Sequence, residues 1–430
     1  MATRCQVIFN LALVLGTVLV TVALTVIAEN LSSGERKIRY HLNGVYPPDS
    51  LAFKRVMGNL LGPPIEAGNR IKTLLNGEQI FPPMLAAIRS ASKTITLETY
   101  IYWSGEIGEQ FSAALIERAS DGVHVHVLLD WFGSSHFDDA ALERMTAAGV
   151  QIERYHRPGW SNMWRLNQRT HRKILVVDGR IGFIGGAGIA DVWLGRADGP
   201  EHWRDTHFQV EGPVVAQLQA AFTDNWLKIR AEVLFKEDYF PELESVGSAD
   251  AQVFKSSPRE GSGSVRLMYL LSIAAAREQI LLANSYFVPD SQAIEALVNA
   301  RKRGVRVEII VPGPITDVRI VRRASRSRWG KLLEAGVEIY EYQPTMYHCK
   351  VMVVDNEWVT AGSTNFDNRS FRLNDEANLN VIDRDLAAEQ SRIFEDDKRQ
   401  SQRITLEAWR RRPWHEKAVE WLAAQLRGQL

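Results

Sequence analysis

The chain has 430 residues, of which 45% are hydrophobic and 24% charged, as is typical of globular proteins with about two to three domains. Its 51 Lys and Arg residues balance its 51 Asp and Glu residues, so net charge gives no reason to expect affinity for nucleic acid or for a membrane surface. The two cysteines, Cys5 and Cys349, lie far apart, so no disulfide framework is expected.

The first predicted element is an uncharged apolar run from Val7 to Ala28, which is about long enough to cross a bilayer as a helix. We expect residues 1–28 to form a single transmembrane anchor. A cleaved signal peptide is the alternative, but the run is longer than the usual apolar region of such a peptide. Basic residues lie on both sides of the run, so they do not fix its orientation.

After a lead-in at residues 29–67, the hydrophobic pattern alternates between strand and helix, which is typical of layered α/β units. The first unit, residues 68–235, has predicted strands at Thr94–Tyr102, Val123–Asp130 and Val150–Tyr155, and predicted helices at Met84–Ser92, Gly108–Ala119 and Ala140–Ala148. The second unit, residues 265–400, repeats this order, with strands at Ile280–Phe287, Val305–Val311 and Val337–Tyr342 and helices at Leu270–Glu278, Ser291–Arg303 and Arg319–Ala335. A Gly- and Ser-rich linker is predicted at 236–264, and a C-terminal amphipathic tail at 401–430.

Each unit contains one copy of a motif. A His is followed by a Lys two residues on, an Asp five residues after the Lys, and a Gly-rich turn seven residues after the Asp. The two copies are His171, Lys173, Asp178 and Gly185-Gly186, and His348, Lys350, Asp355 and Gly362-Ser363. A repeated motif inside a repeated order of elements indicates an internal duplication that produces two domains.

Both motifs predict a β-hairpin. Asp178-Gly179 separates the apolar runs Ile174–Val177 and Ile181–Ile184, and Asp355-Asn356 occupies the same place in the second copy. Because side chains alternate along a strand, the His and Lys of each copy lie on one face, with the intervening residue on the other. The aspartates occupy the turns, so we expect them to hold the fold rather than to touch substrate.

Two such copies supply the groups that phosphoester cleavage needs. One imidazole attacks phosphorus and the other protonates the leaving oxygen, while two lysines neutralise charge on the remaining oxygens. The Gly-rich turns allow backbone N–H groups to approach phosphate closely. No HExxH or other clear metal-ligand spacing is present, and we expect neither a metal nor another cofactor.

The paired HxKxxxxD motifs resemble the signature of the phospholipase D superfamily over residues 68–412. The stretches ETYIYW, VRRASRSRWGKLLEAGVEIYEYQP and NFDNRSFRLNDE most resemble bacterial cardiolipin synthases. The resemblance implies an α/β protein of two pseudo-symmetric α/β/α sandwich lobes, with the active site between them and a covalent phosphohistidine intermediate. It implies a phosphatidyltransferase of the bacterial inner membrane that joins two phosphatidylglycerols, with membrane phospholipids and not nucleic acid as partners. The alternatives are a phospholipase D hydrolase, a nuclease of the same superfamily, and a catalytically inactive lipid-binding module.

The resemblance also implies residue roles. His171 would be the nucleophile and His348 the general acid, although the motifs do not fix this order. Glu376, and with less support Asp205, would orient a histidine through its other ring nitrogen. The candidate catalytic residues are His171, Lys173, Asp178, Asp205, His348, Lys350, Asp355 and Glu376, and the candidate phosphate-binding residues are Lys173, Gly186, Lys350, Ser363 and Asn365. The first copy has Gly188 where the second has Asn365, which puts a symmetric phosphate cradle in doubt.

Three further stretches have two interpretations each. A stripe of arginines over residues 319–328 either meets anionic lipid headgroups or is a solvated face partly paired with acids. The loop at 156–168, which contains Trp160, Met163 and Trp164, either inserts at the lipid interface or packs against the protein. The stretch 406–430 either lies at the membrane interface or docks on the catalytic body.

Overall fold

The computed structural model of the chain describes residues 10, 13–25, 46–155, 167–257 and 265–425. Much of the predicted anchor at 1–28 lies outside these ranges. So do Trp160, Met163 and Trp164 of the loop at 156–168. Residues 13–25 are helical and exposed. Within the described ranges, no helix is both long enough and apolar enough to span a bilayer.

The described chain forms a mixed α/β fold. Its strands are β1 (Glu66–Leu75), β2 (Thr94–Thr99), β3 (His124–Asp130), β4 (Gln151–Tyr155), β5 (Arg169–Thr170), β6 (Ile174–Val177), β7 (Ile181–Gly185), β8 (Thr206–Glu211), β9 (Ala249–Ser256), β10 (Gln279–Asn284), β11 (Arg306–Pro312), β12 (Glu338–Tyr342), β13 (Lys350–Val354), β14 (Trp358–Gly362), β15 (Asn374–Ile382) and β16 (Ser401–Ile404). Its helices are α1 (Leu51–Leu61), α2 (Asn76–Ser90), α3 (Glu106–Ser120), α4 (Asp139–Ala147), α5 (Val215–Arg230), α6 (Val265–Ala275), α7 (Ser291–Lys302), α8 (Arg319–Ser327), α9 (Gly330–Glu334), α10 (Asn368–Arg372), α11 (Arg384–Arg399), α12 (Leu406–Arg410) and α13 (Trp414–Gln425).

The strands hydrogen-bond in one large sheet with the order β16-β12-β11-β10-β13-β14-β15-β9-β1-β8-β7-β6-β2-β3-β4, and β5 pairs with β15. In the first half β2, β3 and β4 are parallel and β6 runs antiparallel to β2. In the second half β10, β11 and β12 are parallel and β13 runs antiparallel to β10. The repeated order predicted from the sequence is therefore present in the strand pairing.

Apolar side chains are buried on both faces of the sheet. Alternate residues of β6 show this, because Leu175 and Val177 pack in the core that contains α2 and α3, while Ile174 and Val176 pack in the core that contains α5 and α11. Each such buried aliphatic side chain contributes about 1.5–3 kcal/mol. Burial on both faces explains why the motif strands read as continuous apolar runs.

The elements differ from the predicted ones at several places; the predicted helix Arg319–Ala335, for example, is divided into α8 and α9. The predicted linker contains β9, which pairs with both β1 and β15 at the junction of the halves. The Gly and Ser residues on both sides of this strand are typical of a linker, so the sequence does not predict the strand. The predicted lead-in contains α1, whose Phe53 ring packs 5.2 Å from Trp358 in the second half. Helix α2 begins at Asn76, ahead of Pro82 and Pro83, so the prolines lie inside the helix and do not precede it.

Both predicted hairpins are confirmed. Asp178 and Gly179 have φ values of 50° and 62°, and Asp355 and Asn356 have 53° and 52°, as a type I′ turn requires. The Asp178 carboxylate accepts three consecutive backbone N–H groups leading into β2 at 2.8–2.9 Å, and Asp355 does the same ahead of β10. Burial opposes the effect, yet these hydrogen bonds lower the pKa of Asp178. Both aspartates thus tie a hairpin to a neighbouring strand.

Candidate active site

The junction between the halves brings the two motifs together. Strand β5, immediately before His171, pairs in parallel with β15, which carries Glu376. The backbone N–H of His171 donates to the Asp375 carbonyl at 2.8 Å. In the corresponding place of the other half, the backbone N–H of His348 donates to the Arg204 carbonyl at 2.7 Å. Each histidine is therefore fixed by its backbone against the carboxylate-bearing segment of the opposite half.

The histidine–carboxylate pairs are crossed between the halves. His171 Nδ1 lies 3.1 and 3.0 Å from the two oxygens of Glu376, and His348 Nδ1 lies 2.7 Å from Oδ2 of Asp205. All four side chains are buried. The sequence did not indicate which histidine each carboxylate contacts. With Nδ1–H held by a carboxylate, each imidazole is left with Nε2 for chemistry.

Asp205 is held as an acceptor by two further donors. The Thr206 backbone N–H donates to Oδ1 at 2.8 Å, and the Trp193 indole N–H donates to Oδ2 at 2.9 Å. A Cβ at Gly186 would lie 2.2 Å from Oδ1, so glycine is needed for the carboxylate to approach this closely. Burial opposes ionisation, but His348 and the hydrogen bonds lower the pKa of Asp205.

Glu376 has its own donors. Ser363 Oγ donates to Oε2 at 2.5 Å, and the Asn374 amide donates to Oε1 at 3.3 Å. Ser363, which the sequence assigned to phosphate binding, is thus engaged with the carboxylate. Burial again opposes the effect, while His171 and Ser363 lower the pKa of Glu376. Both carboxylates are therefore held ionised.

The two lysines lie on the histidine faces of their motifs. Lys173 Nζ donates to the His171 carbonyl at 2.7 Å, and Lys350 Nζ donates to the His348 carbonyl at 2.6 Å. Burial lowers the pKa of Lys173 to about 7, and it also lowers the pKa of Lys350. The Lys350 charge also acts on His171, so the two motifs share one electrostatic environment.

The two imidazoles are not equivalent. Burial lowers the pKa of His171 to about 4, more than Glu376 raises it. A neutral imidazole has the lone pair that attack on phosphorus requires. Burial and Lys350 lower the pKa of His348, whose ring nitrogens lie 3.0 and 3.2 Å from Lys350 Nζ. His348 Nδ1 lies closer to its carboxylate, at 2.7 Å, than His171 Nδ1 does, at 3.0 Å, and the shorter contact stabilises an imidazolium more strongly.

The second half has a complete polar relay around its lysine. Lys350 Nζ donates to Ser285 Oγ at 2.8 Å, and Ser285 Oγ donates to Asn365 Oδ1 at 2.6 Å. Ser285 was not identified from the sequence. It lies one residue beyond the end of β10, where no motif marks it, and only its contacts with Lys350 and Asn365 reveal its place in the site.

The first half has a different arrangement at the same position. Tyr100 is the first-half equivalent of Ser285. Each lies two residues before a residue, Tyr102 or Phe287, that forms a β-bridge to the segment after the Gly-rich turn of its own half. The Tyr100 ring packs edge-on at 5.1 Å from the His171 ring and 5.3 Å from Lys173 Nζ. With Gly188 in the place of Asn365, an aromatic ring here replaces a hydroxyl and an amide.

Arg172 and Cys349 lie away from the histidine faces, as the period of two predicts. Arg172 is fully buried, and its guanidinium donates to the Ala221 carbonyl of α5 at 2.7 Å. Cys349 Sγ lies 3.7 Å from the Arg204 carbonyl. These residues anchor the motif strands from behind.

The arginine stripe is partly paired with acids and the C-terminal stretch docks on the catalytic body, while contact of either with lipid stays a prediction. Arg322 and Arg326 pair with buried Glu341 at 2.7 and 3.0 Å, whereas Arg319 and Arg323 are exposed. Helix α13 docks on α8 through Ala423, Val321 and Ala324. Its outer face leaves large apolar side chains exposed, namely Trp414, Trp421 and Leu422.

The site therefore contains two imidazoles, two ammonium groups and two carboxylates in one buried junction. This set can attack phosphorus, stabilise the charge on its oxygens and protonate a leaving group. In the part of the chain that the structure describes, no group of three or more His, Cys, Asp or Glu side chains could hold a metal ion.

Comparison with known sequences identifies the family of this chain. Residues 84–226 and 269–398 match the family described as cardiolipin synthase, PLD-like domain. The chain is 36% identical to cardiolipin synthase A of Pseudomonas fluorescens Pf-5, covering 83% of this chain and 74% of that protein. It is 38% identical to cardiolipin synthase A of Pseudomonas syringae pv. syringae, covering 79% and 71%.

Solved structures share the fold at low sequence identity. The phosphatidylserine synthase of Haemophilus influenzae superposes with a TM-score of 0.65 at 16% identity, covering 87% of this chain and 96% of that one. The polyphosphate kinase of Porphyromonas gingivalis superposes with a TM-score of 0.52 at 16% identity, covering 84% and 53%. At these identities the likeness concerns the fold alone.

Proposed function

This chain belongs to the cardiolipin synthase family with phospholipase D-like domains, and we propose that it is a cardiolipin synthase-type phosphatidyltransferase. The crossed pair of histidine–carboxylate contacts at the junction of the two matched segments carries the proposal. Relatives at 36% and 38% identity are cardiolipin synthases, which favours transfer to a lipid alcohol over hydrolysis.

In the first half-reaction, Nε2 of His171 attacks the phosphorus of phosphatidylglycerol. A phosphorus–nitrogen bond forms and the phosphorus–oxygen bond to the headgroup glycerol breaks. His348 gives its Nε2 proton to the departing oxygen, so glycerol leaves as the neutral alcohol. Glu376 accepts the Nδ1–H of His171 and stabilises the positive charge that develops on that ring, and Asp205 does the same for His348 before its proton is given up.

Lys173 and Lys350 hold the non-bridging oxygens of the same phosphate, and Asn365 adds an amide next to Lys350. An anion between the two ammonium groups offsets the burial that lowers their pKa values, so both are charged when substrate is bound. We infer that the reaction needs no metal, because these two cations supply the charge that a metal would otherwise provide.

In the second half-reaction, a hydroxyl of a second phosphatidylglycerol attacks the phosphorus on His171. The new phosphorus–oxygen bond replaces the phosphorus–nitrogen bond, and the hydroxyl proton goes to Nε2 of His348. Cardiolipin leaves and both histidines return to their starting state. Water in place of the lipid alcohol would give phosphatidic acid, the hydrolase outcome, and the cardiolipin synthase relatives disfavour that outcome.

The proposal extends to organisation in the cell. Residues 68–235 and 265–400 act as two lobes that share one site, and residues 1–28 anchor the enzyme in the bacterial inner membrane. The exposed apolar helix at 13–25 supports an anchor. The exposed tryptophans of α13, within the 401–430 tail, support contact with the lipid interface.

The test is to express the protein in a host that lacks cardiolipin and to analyse the lipids. Wild type should produce cardiolipin, and His171→Ala and His348→Ala should each abolish it. Protein denatured with detergent at mildly alkaline pH, where a phosphorus–nitrogen bond survives, should carry a phosphatidyl group on His171. Folded, membrane-inserted wild type that yields no cardiolipin would refute the proposal, and unchanged activity in either variant would reject the two-histidine mechanism.

A further inference from the structure

Two tryptophans of the first half pack against His348 of the second half. The ring centroids of Trp193 and Trp203 lie 5.4 and 5.3 Å from that of His348, and they lie 4.7 Å from each other. Trp193 is fully buried, whereas Trp203 is half-buried and packs at the edge of the first-half core. The Trp203 ring is tilted by 37° from the imidazole plane, so it flanks the histidine while part of its own surface stays open.

The backbone of Trp203 is fixed relative to His348. The Trp203 N–H donates to the Val192 carbonyl at 2.6 Å. The next residue, Arg204, donates its N–H to the Met346 carbonyl at 2.9 Å and accepts the His348 N–H at 2.7 Å. The indole side chain takes part in none of these bonds, so they do not require a tryptophan at position 203.

The internal repeat has polar residues in the places of the two tryptophans. Asn374 corresponds to Trp203, since each lies two residues before the carboxylate of its half, and Ser370 corresponds to Trp193, since each lies eight residues after the first Gly of its turn. The Asn374 amide donates to the carboxylate of its own half, and the Ser370 hydroxyl accepts a backbone N–H. Of the two histidines, only His348 therefore has indole rings at these positions.

The proposed reaction places both alcohols at His348. The departing glycerol takes the proton of Nε2 and the acceptor returns a proton to the same atom, so each alcohol oxygen lies within hydrogen-bonding distance of it. The carbon atoms bonded to that oxygen then lie beside the imidazole, which Trp203 flanks. Water can occupy the same position but has no carbon atoms to place against the ring. Burial of apolar surface against an aromatic ring thus favours an alcohol over water here.

We propose that Trp203 selects the lipid alcohol over water as the acceptor of the phosphatidyl group. This inference rests on the proposed function and assigns acceptor choice to a residue outside the motifs. With either acceptor, an oxygen–phosphorus bond forms, the nitrogen–phosphorus bond to His171 breaks, and the proton of the attacking oxygen passes to Nε2 of His348. A glycerol hydroxyl gives cardiolipin, and water gives phosphatidic acid.

The test measures how one intermediate divides between these two products. Full-length enzyme is supplied with acyl-labelled phosphatidylglycerol, and labelled cardiolipin and phosphatidic acid are measured in the same reaction at early times. Because both products arise from the phosphohistidine, their ratio does not depend on the amount of folded enzyme or on the rate of the first half-reaction. Trp203→Asn, which introduces the residue type of the other half, should lower the ratio of cardiolipin to phosphatidic acid by about tenfold, as expected when about two CH₂ groups lose their apolar contact.

Free alcohols test the same contact without a second lipid. Wild type should transfer to 1-butanol in preference to methanol, and Trp203→Asn should reduce this preference several-fold because the longer chain loses the ring. A preference that is equal in the two proteins would contradict contact between the acceptor carbons and Trp203.

Three further variants separate acceptor choice from folding. Trp203→Phe keeps an aromatic ring and should stay within about twofold of the wild-type product ratio. Trp203→Leu keeps an apolar side chain against the core and should give an intermediate ratio. Trp409→Asn is the matched control, since Trp409 is also half-buried but packs against the core of the second half, and it should give the wild-type ratio.

The outcomes distinguish this inference from the proposed function. An unchanged product ratio in Trp203→Asn and Trp203→Leu, or an equal fall in Trp409→Asn, would overturn the assignment of Trp203. Wild type that forms phosphatidic acid and no cardiolipin would instead refute the proposed function.

Discussion

Replacing Asp205 with asparagine separates the work of the two histidines. Both carboxylate oxygens face donors, with the Thr206 N–H at 2.8 Å from Oδ1 and the Trp193 N–H and His348 Nδ1 at 2.9 and 2.7 Å from Oδ2. An amide cannot accept at both positions, so its NH₂ must face at least one buried donor. Loss of a charge-assisted hydrogen bond costs about 1.5–3 kcal/mol, or about 10- to 150-fold in rate.

The size of this loss should depend on the leaving group. Glycerol leaves as a poor alkoxide unless His348 protonates it, whereas a nitrophenolate needs no proton. Asp205→Asn should therefore lower kcat/KM for phosphatidylglycerol by the full 10- to 150-fold, but lower that for a nitrophenyl phosphodiester by less than about threefold. Glu376→Gln acts on His171, the proposed nucleophile, and should slow both substrates. Glycerol release and nitrophenolate absorbance provide the two rates.

The matched control is Asp396→Asn, which changes an exposed carboxylate on α11 and should leave both rates unaltered. If Asp205→Asn slows the aryl substrate as much as the lipid while Glu376→Gln spares it, the roles of His171 and His348 are the reverse of those proposed. If the two variants respond identically to the leaving group, the division of labour between the crossed pairs is wrong.

Four other outcomes are expected. Burial lowers the pKa of Lys173 to about 7, so kcat/KM should fall as pH rises through about 7 and this ammonium loses its proton. Lys173→Arg stays charged, so its kcat/KM should begin to fall only at higher pH. A pH profile that is the same for the variant and for wild type would contradict this. Asp178→Ala leaves three backbone N–H groups without their acceptor and should lower the free energy of unfolding by about 1–3 kcal/mol in urea titrations. An unchanged free energy of unfolding would contradict a structural role for this carboxylate. EDTA should not reduce transfer, and restoration of lost activity by a divalent cation would reject metal independence. The double variant Trp421→Ala, Leu422→Ala removes exposed apolar side chains and should weaken binding to anionic vesicles several-fold without slowing turnover of a micellar substrate; equal vesicle binding would exclude α13 from the interface.

The local features of the site were predictable from sequence because they depend on short-range periodicity. The alternation of side chains along a strand predicts that His171 and Lys173 share one face and that Arg172 lies on the other. The Asp178-Gly179 pair predicts a type I′ turn. Both are properties of a few adjacent residues, and both are present in the structure. The resemblance of the motifs then indicated the family, which the matched segments confirm.

The contacts between the halves could not be predicted in this way. Glu376 lies 205 residues from His171, and no local pattern distinguishes that contact from one with His348. Its place in the Gly-rich turn predicts phosphate binding for Ser363, but its hydroxyl donates to the Glu376 carboxylate. The Gly- and Ser-rich flanks of β9 predict a linker, whereas its place at the junction depends on pairing with β15.

The crossed pairing explains where the two halves differ. Asp205 is hydrogen-bonded to His348 across the junction, and Glu376 is hydrogen-bonded to His171. A substitution of the carboxylate in one half therefore disturbs the histidine of the other half. A buried carboxylate without its partner is also costly, so forming the junction and forming the site are one event.

The groups around each lysine are not linked in this way. Ser285 and Asn365 contact each other and Lys350 within the second half, and Tyr100 packs on Lys173 within the first. These positions can change in one half without disturbing the histidine of the other. The asymmetry between the motifs lies there: an aromatic ring packs beside Lys173, whereas Ser285 and Asn365 form a hydrogen-bonded relay with Lys350.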